Sequence, residues 1–279
     1  MNRRIRFWSS LSAVALIGTG ALSACDNPST DSTDDTNLTE ETAPASDPHA
    51  GMDMGGAGGG EGEGEGAANT DLATDDVAYL TRLGLMRGHL LVGVELFQAG
   101  ALDHARTHMK HPEDELYATM EPALESRGAE GFGGKLSRLA TAMEEDPEPD
   151  TIEAAYADVL AAIEAAEARL VEPAGNNPAT LLLVAANLVR TAGEEYAIGV
   201  KDDGTMVNAH EYQDAYGFVQ TARRILSTIS RDDGDPDLTA ALDRTTEQLD
   251  LLDPAWPSIA PAPEKVDFDD SVIHGAAAR

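Results

Sequence analysis

Residues 152–170 read IEAAYADVLAAIEAAEARL, with Ile152, Tyr156, Val159, Ile163 and Leu170 on one stripe and Glu153, Asp158, Glu164 and Glu167 largely off it. That spacing is the signature of an amphipathic α-helix, and the Ala, Leu and Glu content gives it good intrinsic propensity. The pattern continues on both sides. Asn177-Pro178 supplies an N-cap and a proline at the first helical position before TLLLVAANLV, whose apolar residues lie on every side, so residues 178–199 are expected at the centre of a bundle. Asn208 and Glu211 form an N-x-x-E capping box, and a further helix starts near Asp235-Pro236 and runs to about Leu252.

Towards the N-terminus, residues 76–98 form a helix in which Gly84 and Gly88 share a face and permit close approach of a neighbour. Gly100 ends it. A short helix is predicted to stop near His111-Pro112, a new one to start with Pro112 at its first position, and Pro122 to kink or divide that one. No stretch alternates as a sheet strand does, so the chain reads as an all-α bundle of roughly six to eight helices over residues 76–253, with residues 254–279 a loosely ordered tail.

Before the bundle the character is different. Residues 1–24 combine Arg3, Arg4 and Arg6 with a short apolar stretch and read as a secretory signal. The stretch ends in Leu22-Ser23-Ala24-Cys25, which resembles the lipobox of bacterial lipoproteins, and this implies cleavage before Cys25 and lipidation of its thiol. Such a protein is anchored to a membrane without spanning it. Asp26 is similar to the retention signal of enterobacterial lipoproteins, favouring the inner membrane, facing the periplasm, over the outer. Residues 25–75 are expected to be a disordered acidic tether: from 26 to 76 there are 14 Asp and Glu and no Lys or Arg. Within it, His49, Met52 and Met54 resemble the clusters of copper-handling proteins.

Composition removes several functions. A formal charge of −31, from 19 Lys and Arg against 50 Asp and Glu, argues against nucleic-acid binding. One cysteine excludes disulfide frameworks and thiolate-held zinc or iron–sulfur centres. E-x-x-H, H-E-x-x-H, P-loop, nucleophile-elbow and haem-attachment motifs are all absent, which argues against an enzyme.

The candidate chemistry lies in histidines and carboxylates. His104, His108 and His111 have i, i+4, i+7 spacing on one helix face, and imidazoles so placed suit iron, copper, zinc or nickel, with Glu113 and Glu115 near enough to complete a shell. His89 and Glu95 interrupt the apolar run LMRGHLLVGVELF. They lie about 120° apart on a helix, so they are not expected to share one ion. Glu95 is expected to bind a metal or to pair with Arg87, Arg190 or Arg223, and His89 to be a ligand or a satisfied core histidine. A second cluster comprises Glu194 and Glu195 at one helix end and His210 and Glu211 at the next helix start, brought together by a hairpin.

Around that second cluster, EEYAIGVKDDGTMVNAHEYQDAYGFV (residues 194–219) resembles the extracytoplasmic helical segment of bacterial high-affinity, oxidase-linked iron permeases. Glu195-Tyr196, Gly204, Val207-Asn208, Glu211-Tyr212 and Phe218 carry the likeness. It implies a periplasm-facing bundle associated with iron uptake and an iron permease or another envelope protein as partner. The permease's membrane helices and acidic transport motifs are missing, so the chain is not the channel. Two functions follow: a lipid-anchored bundle that binds metal, iron first, or a structural and interaction lipoprotein with no metal site.

Overall fold

The computed structural model describes residues 71–145, 147–171, 177–231 and 235–278. The signal segment, Cys25, most of the acidic tether and the His49, Met52 and Met54 group lie outside the described residues.

The helix α1 (Asp76–Gln98) begins where the Asp75 carboxylate accepts the Ala78 N–H at 3.0 Å, an ordinary N-cap. It buries residues on all its faces, from Tyr79 and Leu83 through Met86 and Leu90 to Leu96. The centre of the bundle is therefore α1, contrary to the expectation for residues 178–199. That later helix, α6 (Pro178–Gly199), leaves Leu183 56% exposed and Leu181 and Leu182 half-buried, because its first turns lie at the edge of the bundle.

Glycines set how closely the helices meet α1. A Cβ on Gly217 of α7 (Ala209–Thr228) would stand 2.5 Å from the carbonyl oxygen of Gly88, so the two backbones touch there. Gly84 packs against Leu188 of α6, and Gly93 packs against Met109 of α2 (Leu102–His111). The close approach expected at Gly84 and Gly88 is thus made to two different helices.

The chain does not break at Pro112. α2 passes into a π-helical turn, Pro112–Tyr117, and on into α3 (Ala118–Ser126), with His111 itself helical at φ −48° and ψ −47°. A wide turn accommodates a proline ring and its missing N–H where a regular turn would clash. Pro122 likewise sits inside α3 without dividing it.

The helices α4 (Gly133–Glu145) and α5 (Pro149–Glu167) pack together, α5 burying Ile152, Val159 and Ile163 as its stripe predicts. Arg87 of α1 and Glu167 of α5 form a two-pronged ion pair at 2.7 and 2.9 Å. α6 and α7 form a hairpin, with α7 capped by Asn208, whose Oδ1 accepts the His210 N–H at 3.0 Å. α8 (Pro236–Asp250) and the seven-residue α9 (Ser271–Ala277) complete the helices. Among the described residues the fold is all-α. Only isolated bridges, Val200 with Met206 and Thr205 with Lys265, pair extended backbone.

Residues 254–278 are not a loose tail. Trp256, Val266 and Ile273 are buried, the Trp256 indole donates to the Tyr212 carbonyl at 2.8 Å, and the Tyr212 hydroxyl donates to the Ser258 carbonyl at 3.0 Å. Large apolar side chains interspersed among the prolines tie this segment down as a strap over α7. Among the described residues no helix is long and apolar enough to cross a membrane.

Candidate metal centre

The contact between Gly88 and Gly217 brings the residues beside it together. His89 follows Gly88, and Asp214 lies just under one turn before Gly217 on α7. The His89 Nδ1 and an Asp214 carboxylate oxygen are 2.6 Å apart, with both residues 1% exposed. α2, seated on Gly93, contributes His108 and His111 from adjacent turns. His108 is fully buried, its Nδ1 2.9 Å from the same Asp214 oxygen. From α7 itself His210, four residues before Asp214, places Nε2 3.0 Å from the other carboxylate oxygen and 3.1 Å from the His111 Nδ1. The His108 and His210 rings stack, their centroids 4.1 Å apart.

Four imidazoles and one carboxylate thus converge from three helices. Two trios, His89 with His111 and Asp214 and His108 with His210 and Asp214, each have ligand atoms within 4.8 Å of one another. The site deepens from one edge, where His111 and His210 are 8% and 9% exposed, towards His108. At that edge the Glu115 carboxylate stands 3.6 Å from the His111 Nδ1.

The electrostatics suit a cation. Burial by itself pushes the Asp214 carboxyl up, but His89 and His108 beside it outweigh that and hold it well below the usual carboxylate range. Burial pushes His111 down to about 3, helped by His210 and His89, and burial also lowers His108 against the pull of Asp214. Burial works against protonation of His210 too, yet its bond to Asp214 wins and its value is raised. At neutral pH the centre therefore holds one ionised carboxylate and neutral imidazoles at His108 and His111, the protonation state in which these groups bind metal. A structural core needs one histidine to satisfy a buried aspartate. Four, with ring nitrogens directed at each other and at the same carboxylate, match the donor set of a divalent transition ion, and the absence of thiolates disfavours Cu(I).

Of the other residues singled out in the sequence, His104 is exposed on the first turn of α2. Glu194 is exposed and Glu195 is buried on α6, and neither belongs to either trio. Glu211 is buried, its carboxylate accepting from the Asn208 side-chain amide at 3.4 Å, while the Asn208 N–H, which a capping box would aim at Glu211, donates to the Gly199 carbonyl. Glu95 is half-buried and hydrogen-bonded to Tyr216, and burial raises its carboxyl. The arginines expected to pair with it are engaged elsewhere: Arg87 with Glu167, Arg223 with Asp253 and Arg190 with Asn187. Asp214 was not legible as a site residue from the sequence. Its signal was the four-residue spacing from His210 within the buried stretch of α7.

Residues 172–274 match the family described as the iron permease-associated 4-helix bundle domain. Searches of the curated proteins and of the solved structures return no match. The matched segment supports the iron-permease likeness of residues 194–219. It supplies His210 and Asp214 to the centre, while His89, His108 and His111 come from helices that precede it.

Proposed function

We propose that this protein is a non-catalytic, lipid-anchored bundle of the cell envelope that binds one iron ion at His89, His108, His111, His210 and Asp214 and serves an iron permease or another uptake partner. The observation that carries the reading is the convergence of four buried imidazoles on one ionised carboxylate. One carboxylate against a divalent ion leaves a single net positive charge in the core, whereas two ions would leave three, so charge favours one ion. The excess of acidic residues over the chain raises the local cation concentration. Glu115, at the more exposed edge, is placed to pass an ion inward.

The donor set by itself does not prefer iron: nitrogen sites bind Cu(II) and Zn(II) more tightly in vitro. The assignment to iron comes from the family match, with copper and zinc as competitors. Lipidation at Cys25 and residence on the periplasmic face of the inner membrane belong to the same proposal and rest on Leu22-Ser23-Ala24-Cys25 and Asp26.

The test is metal analysis of the purified chain after anaerobic loading with Fe(II), alongside Asp214→Ala, His108→Ala and His104→Ala. One ion per chain is expected, lost in the first two variants and kept in the third. A wild-type chain with no bound ion and no thermal shift with Fe(II), Zn(II) or Cu(II), or binding that survives Asp214→Ala, refutes the metal centre and leaves a structural or interaction lipoprotein.

A further inference from the structure

His108 is the most deeply buried imidazole of the centre, and both its ring nitrogens are within hydrogen-bond distance of oxygen. Its Nδ1 faces Asp214 at 2.9 Å, and its Nε2 faces the Gln213 side-chain oxygen at 3.0 Å. A glutamine amide can be turned over, so its oxygen is assigned only when a second partner identifies the nitrogen. Here one does. The Gln213 Nε2 donates at 2.8 Å to the backbone carbonyl of Ile259, which can only accept. The amide oxygen must then point at the His108 ring, and His108 must carry a proton on Nε2 to meet it.

We propose that Gln213 is a positioning residue which fixes the tautomer of His108, so that Nδ1 is the atom His108 offers to the metal, and that the strap holds Gln213 in this role through the Ile259 carbonyl. This deepens the metal-centre reading and rests on it. With Nε2 committed to Gln213, Nδ1, which faces an Asp214 oxygen that the His89 Nδ1 also approaches at 2.6 Å, is the nitrogen free to give up its proton to a metal ion. Outer hydrogen bonds of this kind orient ligating histidines and raise their basicity, and losing one typically lowers metal affinity about 10- to 100-fold.

The arrangement also links the site to a part of the chain distant in sequence. Ile259 follows Trp256 and Ser258, which fasten the strap to Tyr212, the residue before Gln213. Two consecutive α7 residues are thus held by one short segment.

The experiment has two arms, both on the whole chain. In the first, the metal-free protein with 15N-labelled histidine is examined by NMR, and His108 is identified by its loss in His108→Ala. The expected result is a ring that carries a proton on Nε2, whether or not Nδ1 is also protonated in the metal-free state. A ring protonated on Nδ1 alone overturns the proposal. In the second, Co(II) binding is titrated in the wild type, in Gln213→Met, which keeps the unbranched shape and removes the acceptor, and in Gln213→Glu, which retains one. Binding is expected to weaken about 10- to 100-fold in Gln213→Met and to return to within a few-fold of wild type in Gln213→Glu. Equal affinity in wild type and Gln213→Met overturns it. If the wild type binds no Co(II), the metal-centre reading fails, yet the NMR arm, which needs neither metal nor a folded Gln213 variant, still decides the role of Gln213.

Discussion

Gly217→Ala is a small change aimed at the contact that builds the site. The new Cβ would stand 2.5 Å from the Gly88 carbonyl oxygen, 2.7 Å from the Val92 Cγ2 and 2.9 Å from the Gly88 carbonyl carbon. Two of these three atoms are backbone, so no rotamer change relieves the overlap. Reaching an ordinary 3.4 Å contact requires α1 and α7 to separate by about 0.9 Å. That retreat takes the 2.6 Å approach of His89 to Asp214 to about 3.5 Å, beyond a useful hydrogen bond. Overpacking of this kind costs about 1–3 kcal/mol, and the better helix propensity of alanine returns about 1 kcal/mol. A net loss near 1 kcal/mol corresponds to a Tm lower by about 2–4 °C for a domain of this size. Metal affinity should fall about tenfold or more, because one ligand is displaced while the fold survives. Gly134→Ala is the control: its Cβ meets no heavy atom within 4 Å, so it should gain about 0.5–1 kcal/mol and bind as wild type does. Thermal unfolding and Co(II) titration read both effects. If Gly217→Ala is as stable as Gly134→Ala, or binds Co(II) as tightly as wild type, the close crossing does not build the centre.

Two further outcomes follow from groups away from the histidine cluster. Burial raises the Glu95 carboxyl, so the folded state disfavours its ionised form; the penalty is absent below the unfolded value of about 4.3 and grows as pH rises through it towards the raised folded value. Glu95→Gln should therefore unfold at higher temperature than wild type at pH 7 and match it near pH 3.5, and an equal difference at both pH values would contradict the assignment. Ile273 is fully buried on α9, so Ile273→Ala should cost about 2–4 kcal/mol in denaturant unfolding; a change below about 0.5 kcal/mol would mean that the C-terminal segment is not fastened to the bundle.

Helices were legible because their signals are local. The stripe from Ile152 to Ile163 and the caps at Asn177, Asn208 and Asp235 each depend on residues within one or two turns, and each stands where the spacing predicts. The behaviour at Pro112 was not legible, since a proline opposes an α-turn and only the packing of both flanking helices holds the wider one. Residues 254–278 misled for a related reason: proline and alanine suggest a loose end, while the anchors that decide the matter are a few large side chains whose partners lie on α6 and α7. Within the site, His89, His108, His111 and His210 stood out by type, but their grouping did not. The i, i+4, i+7 run suggested three imidazoles on one helix face, whereas His104 is in solvent and its place is taken by side chains from α1 and α7.

That composition bears on how the centre relates to the iron permease-associated segment. The matched residues 172–274 contain α6, α7, α8 and the strap, and with them His210, Gln213, Asp214 and Ile259. A carboxylate, one imidazole and the hydrogen bonds that orient a second imidazole are therefore present within the segment. Three of the four imidazoles are not, and Asp214 without them would be a buried anion next to a single histidine, a costly arrangement. The N-terminal helices α1 and α2 contribute the other three imidazoles, and they reach the carboxylate because Gly88 and Gly93 let backbone and side chain approach without a Cβ between. The proposed ion binding would thus be a joint property of the matched segment and of the helices before it, since neither part carries the full donor set by itself.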